Sequence, residues 1–247
     1  MKKIVAIMLC VAMMLCAGAA LAEDYAIATD TAFRPFEYTD DTGALVGIDV
    51  EILAAIAEDQ GFTYTIEPLG WDASIAACQA GQKDGMIAGA SITEERKASG
   101  WIFSDGYFTA TQSMAVAQGT GITGFEDLKG HSVAVKVGTM GEDYANSLAE
   151  QYGFTVVPFG SSLAIYMAVT GGQCAACFDD TPVLEDYVRN GGIFLQLVDG
   201  TSNEGSDYGF VVFSPEKQDL VDKFNAGLAN IKASGVYDEI LVKYLGE

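Results

Sequence analysis

The chain has 247 residues, half of them hydrophobic, and carries 34 Asp and Glu against 13 Lys and Arg for a formal net charge of −21. A chain of this size and composition buries a sizeable core without a disulfide framework, which excludes a disordered protein. Its acidity argues against nucleic acid or an anionic bilayer as a partner, because both would repel it.

Residues 1–22 begin with Lys2 and Lys3, continue as an apolar run and end in Ala20-Leu21-Ala22. That order predicts a secretory signal cleaved before Glu23 and hence a periplasmic or extracellular protein; the alternative is retention as an anchor, since Ile4 to Ala22 approaches a membrane span in length. Cys10 and Cys16 fall inside this segment and lack the small residues directly before them that lipidation needs. Cys78, Cys174 and Cys177 remain, an odd number for a disulfide-stapled exported protein. Cys174 and Cys177 lie on a predicted strand, where residues three apart face opposite sides, so buried free thiols are expected rather than a redox pair or a shared metal.

Hydrophobic periodicity then gives a strand over 25–29, a helix over 49–60, a strand over 62–67, a helix over 72–80 and a strand over 85–90. The pattern restarts after residue 110 with strand 131–137, helix 141–152, strand 154–159, helix 161–170, strand 174–178, a helix from about 181 and strand 192–197. Two such runs predict an α/β protein of two lobes, each a mostly parallel sheet flanked by helices. A further strand, 208–213, fits either lobe, and two helices follow between Pro215 and Gly246. Leu220, Phe224, Leu228 and Ile231 recur at helical spacing as an ordinary buried face.

The catalytic inventory is thin. His131 is the sole histidine, at a turn before a strand, so a Cys/His or Ser/His/Asp set and a tight zinc site are not expected. Neither a P-loop nor a strand-borne GxGxxG is present, so no cofactor is expected. In Asp84 to Lys97 a strand ends at Gly89, Ser91 and Thr93 offer capping hydroxyls, and Glu94, Glu95 and Arg96 fall in a first helical turn. A guanidinium there either clamps a carboxylate in two-pronged fashion or pairs with a neighbouring Glu on the surface. Lys136-Val-Gly-Thr-Met-Gly141 is a second helix start whose free N–H groups favour an anion. Asp179 and Asp180 end a strand, where α/β folds place ligands, although Asp180 is equally suited to cap the helix that begins with Pro182 in its first turn.

The segments ATDTAFRPFEY (28–38), GALVGIDVEILAAIAEDQGF (43–62), GASITEERK, FSDGYF (103–108), FEDLKGHSVAVKVGT (125–139), DDTP (179–182) and GVYDEILVKYLG (235–246) occur in order over nearly the whole mature chain. In these the chain resembles the polar amino-acid family of periplasmic solute-binding proteins. Glutamine-binding members carry similar ATDTAF, SDGYY and DTP segments. The resemblance implies two α/β lobes joined by two hinge strands, near 107–111 and 204–208, that close on an amino acid. The first lobe would comprise 23–106 and 209–247, the second 107–208. It further implies that Arg96, with the backbone N–H groups of Ser91 and Met140, holds the ligand carboxylate. Asp180, the Gly89 carbonyl and the Ser91 hydroxyl would hold the ammonium, Phe33 and Trp71 would sandwich the side chain, and Asp30, Lys136 and Asp179 would read its tip. The protein would act as a monomer that hands its ligand to the membrane permease of an ABC importer.

Glutamine-binding relatives have a histidine where this chain has Asp179 and a phenylalanine where it has Trp71. They also commonly carry an Asp near Ala175, in the segment that holds the two cysteines here. A second acid at the pocket end moves the balance toward a cationic ligand such as arginine or lysine, while Lys136 can neutralise one of the two. Glutamine is the favoured expectation and a cationic amino acid the next. The rival class is an enzyme, a cyclohexadienyl dehydratase on the same fold, which would need Asp30 or Asp179 as an acid of raised pKa.

Overall fold

The computed structural model describes residues 23–190 and 192–246; the predicted signal segment, with Cys10 and Cys16, lies outside them. The chain starts with β1 (Asp24–Thr29) and a short meander, β2 (Ala32–Phe33), β3 (Glu37–Thr39) and β4 (Leu45–Val46). Then come α1 (Ile48–Gln60), β5 (Thr63–Pro68), α2 (Trp71–Gln79), β6 (Gly85–Met86), α3 (Glu94–Ala98) and β7 (Ile102–Phe103). β8 (Phe108–Ala110) crosses to a second lobe made of β9 (Gln112–Ala117), β10 (Ser132–Lys136), α4 (Met140–Tyr152), β11 (Thr155–Phe159), α5 (Ser162–Thr170), β12 (Ala176–Asp180), α6 (Thr181–Asn190) and β13 (Leu195–Leu197). β14 (Ser206–Tyr208) returns to the first lobe, which β15 (Val211–Val212), α7 (Gln218–Ser234) and α8 (Val236–Leu245) complete.

The two sheets share one plan, β5-β1-β6-β15-β7 in the first lobe and β11-β10-β12-β9-β13 in the second. In each, three strands run parallel and a single reversed strand, β15 or β9, joins them to the edge. The late strand therefore belongs to the first lobe. β8 and β14 form an antiparallel ladder between the lobes, pairing Phe108 with Tyr208 and Ala110 with Ser206.

Helix α1 buries Ile48, Ile52, Leu53 and Ile56 at helical spacing and stops at Gly61, which takes the left-handed conformation that a side chain would resist. Its partner α7 buries Leu220, Phe224, Leu228 and Ile231. The two approach closely because Gly227 lacks a side chain: a Cβ there would stand 2.7 Å from a methyl carbon of Ile56. Each such apolar side chain contributes about 1.5–3 kcal/mol on burial.

Four predicted strands are shorter or shifted. The run 208–213 is split, with Tyr208 ending β14 and only Val211–Val212 pairing in the first sheet. The run 85–90 pairs only over Gly85–Met86, because Gly89 turns the backbone into the left-handed region (φ 56°); Ile87, Ala88 and Ala90 stay buried outside the sheet. β12 spans Ala176–Asp180 rather than 174–178, so Cys174 sits in the preceding turn with its N–H on the Ala168 carbonyl. Cys78, Cys174 and Cys177 are buried free thiols. β13 covers only the last three residues of 192–197, and Phe194 before it is exposed. The meander escaped the periodicity reading because strands of two or three residues are shorter than its window. No helix among the described residues is long and apolar enough to cross a membrane.

Candidate functional site

The carboxyl ends of β1, β10 and β12 and the turn after β6 face one cleft between the lobes, the position at which α/β sheets bind ligands. Asp30 follows β1, Lys136 ends β10, Asp179 and Asp180 end β12, and Gly89 and Ser91 follow β6. Phe33 closes β2, Trp71 opens α2, Arg96 lies in α3 and Met140 opens α4.

At one end of the cleft, the Thr93 hydroxyl caps α3 by accepting from the Arg96 N–H at 3.1 Å. The Arg96 guanidinium donates to the Ser91 carbonyl at 2.9 Å and, across the cleft, to the Gly138 carbonyl at 3.1 Å. It lies 5.2 and 5.0 Å from the rings of Trp71 and Trp101, a cation set beside both indole rings. Glu94 pairs with Lys97 instead, so Arg96 is not the surface partner of its neighbouring acids. Burial lowers the Arg96 pKa, with Asp143 and Asp180 opposing, and the guanidinium stays charged. Trp71 reaches the same Gly138 carbonyl through Nε1 at 3.1 Å. Helix α4 sits close behind: a Cβ on Gly141 would stand 2.8 Å from the Phe178 carbonyl oxygen, so glycine there permits the approach to β12.

Asp180 does not spend its side chain on capping α6. Its two oxygens accept from Gln112 Nε2 and the Tyr208 hydroxyl, each at 2.5 Å. Burial first, and Asp179 second, push its pKa up to about 6. Ser91 bridges to Tyr208, which ties this end of the cleft to β14.

At the other end, Asp30 of the first lobe forms an ion pair with Lys136 of the second, and the two residues are 4% and 2% exposed. The Lys136 ammonium lies 4.9 Å from the Phe33 ring and 5.7 Å from the Trp71 ring. Burial works to lower its pKa, but Asp30 and Asp179 outweigh that and raise it. Asp179, equally buried, accepts from the Tyr166 hydroxyl at 2.6 Å and from the Asp180 N–H at 2.9 Å, and burial raises its pKa. The three groups assigned to the ligand tip are thus divided, with Asp30 taken up by Lys136 and Asp179 by Tyr166.

Sequence reasoning missed Gln112, Trp101, Tyr166 and Tyr208, the residues that hold the predicted ones in place. Tyr208 lies in the predicted hinge segment, but nothing in its spacing pointed to an acid 28 positions earlier. A second ion pair across the cleft, from Arg34 Nε to Asp186 Oδ2 at 2.8 Å, was likewise not foreseen.

Residues 25–247 match the sequence pattern of the bacterial extracellular solute-binding proteins, family 3. A probable histidine-binding protein of Neisseria gonorrhoeae is 30% identical over 220 residues, which cover 87% of this chain and 80% of that protein. The fold is similar to that of the arginine-, lysine-, histidine-binding protein ArtJ of Geobacillus stearothermophilus, with a TM-score of 0.82 and 32% identity over 91% of this chain and 96% of that one. It is also similar to the second substrate binding domain of a putative amino acid ABC transporter of Streptococcus pneumoniae, with 40% identity, a TM-score of 0.62 and coverage of 90% and 99%.

Proposed function

The chain belongs to the bacterial extracellular solute-binding proteins, family 3, and we propose that it closes on a polar L-amino acid and delivers it to the membrane permease of an ABC importer. The lobes, 23–106 with 209–247 and 107–208, rotate about the β8 and β14 ladder. Arg96 and the N–H groups of Ser91 and Met140 receive the ligand carboxylate, because an anion is a stronger acceptor than the carbonyls Arg96 otherwise holds. Asp180, the Gly89 carbonyl and the Ser91 hydroxyl receive the ammonium. Phe33 and Trp71 flank the side chain.

Within that class the favoured ligand is glutamine, and the observation that carries the choice is the ion pair between Asp30 and Lys136. A side-chain amide satisfies both members, its NH2 donating to Asp30 and its oxygen accepting from Lys136, whereas a guanidinium or ammonium would meet the like charge of Lys136. A second reading, arginine or lysine, draws on the buried Asp179 and on the names of relatives such as ArtJ. The role is binding without turnover. His131 lies at the amino end of β10, opposite Lys136, and both acids that a dehydratase would use are held by Lys136 and Tyr166.

A thermal-shift screen of the twenty amino acids tests the reading, because a ligand that binds only the folded state raises its melting temperature. L-Glutamine is expected to give the largest shift. No shift with any amino acid, or turnover of a cyclohexadienyl acid, would overturn the proposal.

A further inference from the structure

Behind the cleft lies a pair of buried carboxyls that the binding scheme does not use. Glu37 opens β3 directly across from Phe33, and Asp49 stands in the first turn of α1; both residues are 0% exposed. Asp49 Oδ2 accepts from the Gly89 N–H at 2.9 Å and from the Tyr107 hydroxyl at 2.7 Å. Asp49 Oδ1 and both Glu37 oxygens face no conventional donor, and among the described residues neither carboxyl has an ion-pair partner. The Asp49 N–H donates to the carbonyl of Phe36, the residue before Glu37, at 2.9 Å, which holds the two buried carboxyls in the same region of the core.

Two ionised carboxylates so placed would repel and leave three buried acceptor atoms bare, whereas one proton between them replaces the repulsion with a charge-assisted hydrogen bond. The titratable groups facing Glu37 favour the same state. Asp49 from α1 and Asp30 after β1 add negative charge, Lys136 from β10 opposes them, and Tyr107 donates to Asp49. Burial, then Asp49 and Asp30, raise the Glu37 pKa well above the usual range. Asp49, raised to about 6, is the member that ionises first.

We infer that Glu37 donates a shared proton to Asp49, and that this acid and carboxylate pair positions the Gly89 turn and Tyr107 for ligand binding. Asp49 then receives three donors: the Glu37 acid, the Tyr107 hydroxyl and the Gly89 N–H. Gly89 has no room to settle elsewhere, since a Cβ on it would stand 2.5 Å from the Phe33 ring. Tyr107 directly precedes β8, so one carboxylate fixes both a pocket turn and the start of a hinge strand. The pair is a positioning device for the pocket and rests on the reading of Gly89 as a ligand contact.

The test compares the parent with Glu37→Gln, whose amide N–H replaces the acid O–H, and with Glu37→Leu, which has no donor. Near neutral pH, the infrared spectrum of the parent should contain a protonated-carboxyl C=O band that Glu37→Gln lacks. Gly89 amide exchange should accelerate by about tenfold or more in Glu37→Leu and stay within about threefold of the parent in Glu37→Gln. Affinity for L-glutamine should follow the same order. Should Glu37→Leu not fold, alkaline pH replaces it: after correction for the intrinsic rate, Gly89 protection should fall in the parent and hold in Glu37→Gln. Absence of the band in the parent overturns the shared proton. Equal Gly89 exchange in all three proteins, or equal loss in Glu37→Gln and Glu37→Leu, overturns the positioning role. A parent that binds neither L-glutamine nor L-arginine counts against the proposed ligand instead, and the infrared and exchange readouts still decide the pair.

Discussion

The two ends of the cleft are built from the same kinds of residue and reach opposite electrostatic outcomes. At the Arg96 end the charges are held apart: the guanidinium rests on backbone carbonyls beside two indole rings, and Asp180 rests on Gln112 and Tyr208. Both charges are therefore available to a zwitterion. At the Lys136 end the charges are joined, Asp30 to Lys136 across the cleft, while Asp179 beside them is held by the Tyr166 hydroxyl. An open charge selects a class of ligand, and a closed pair selects a neutral side chain with a donor and an acceptor.

The largest effect is expected where an open charge is removed. Arg96→Ala should weaken binding of every amino acid by at least about a hundredfold in calorimetric titration, because two charge-assisted bonds of about 1.5–3 kcal/mol each are lost. Unchanged affinity would mean that the Arg96 end is not the carboxylate site. Opening the closed pair comes next. Lys136→Met leaves Asp30 buried without its cation, so the ligand-free protein should lose about 3–5 kcal/mol of stability in urea denaturation, and L-arginine should recover more of it than L-glutamine. If glutamine remains the better ligand in that variant, the pair does not set the choice.

A pH titration distinguishes the ends without mutation. Asp180 must be ionised to hold an ammonium, and its pKa is about 6, so affinity should be flat above that value and fall toward tenfold per unit below it. Folding stability responds with the opposite sign. A carboxyl whose pKa is raised by folding contributes most below its unfolded value and loses that contribution as pH rises through about 6. The smallest effect is expected at Asp179→Asn. With Tyr166 still available as a partner, glutamine affinity should stay within about threefold, whereas a loss of arginine binding beyond about tenfold would mark Asp179 as a direct ion-pair partner.

The two lobes were legible in the sequence because strand and helix periods alternate in two successive runs, whereas Asp30, Phe33 and Trp71 were picked out only by the resemblance to the solute-binding family. The Arg96 turn was legible for a local reason, since Thr93 and the acids of α3 mark a helix start within a few residues. What joins the charges was not. Whether Lys136 answers Asp30 or Asp179, 106 or 43 positions away, depends on how the lobes meet, and Tyr166 reaches Asp179 of β12 from helix α5. The Glu37 and Asp49 pair was hidden in the same way, because the meander that carries Glu37 is too short to show a period.

The central claim is that the joined pair of Asp30 and Lys136 favours an amide side chain over a cation. Parallel calorimetric titrations of the unmodified protein with L-glutamine and L-arginine at neutral pH test it most directly. The account predicts tighter binding of glutamine by about tenfold or more, a difference of about 1.4 kcal/mol. Arginine binding as tightly or more tightly would contradict it.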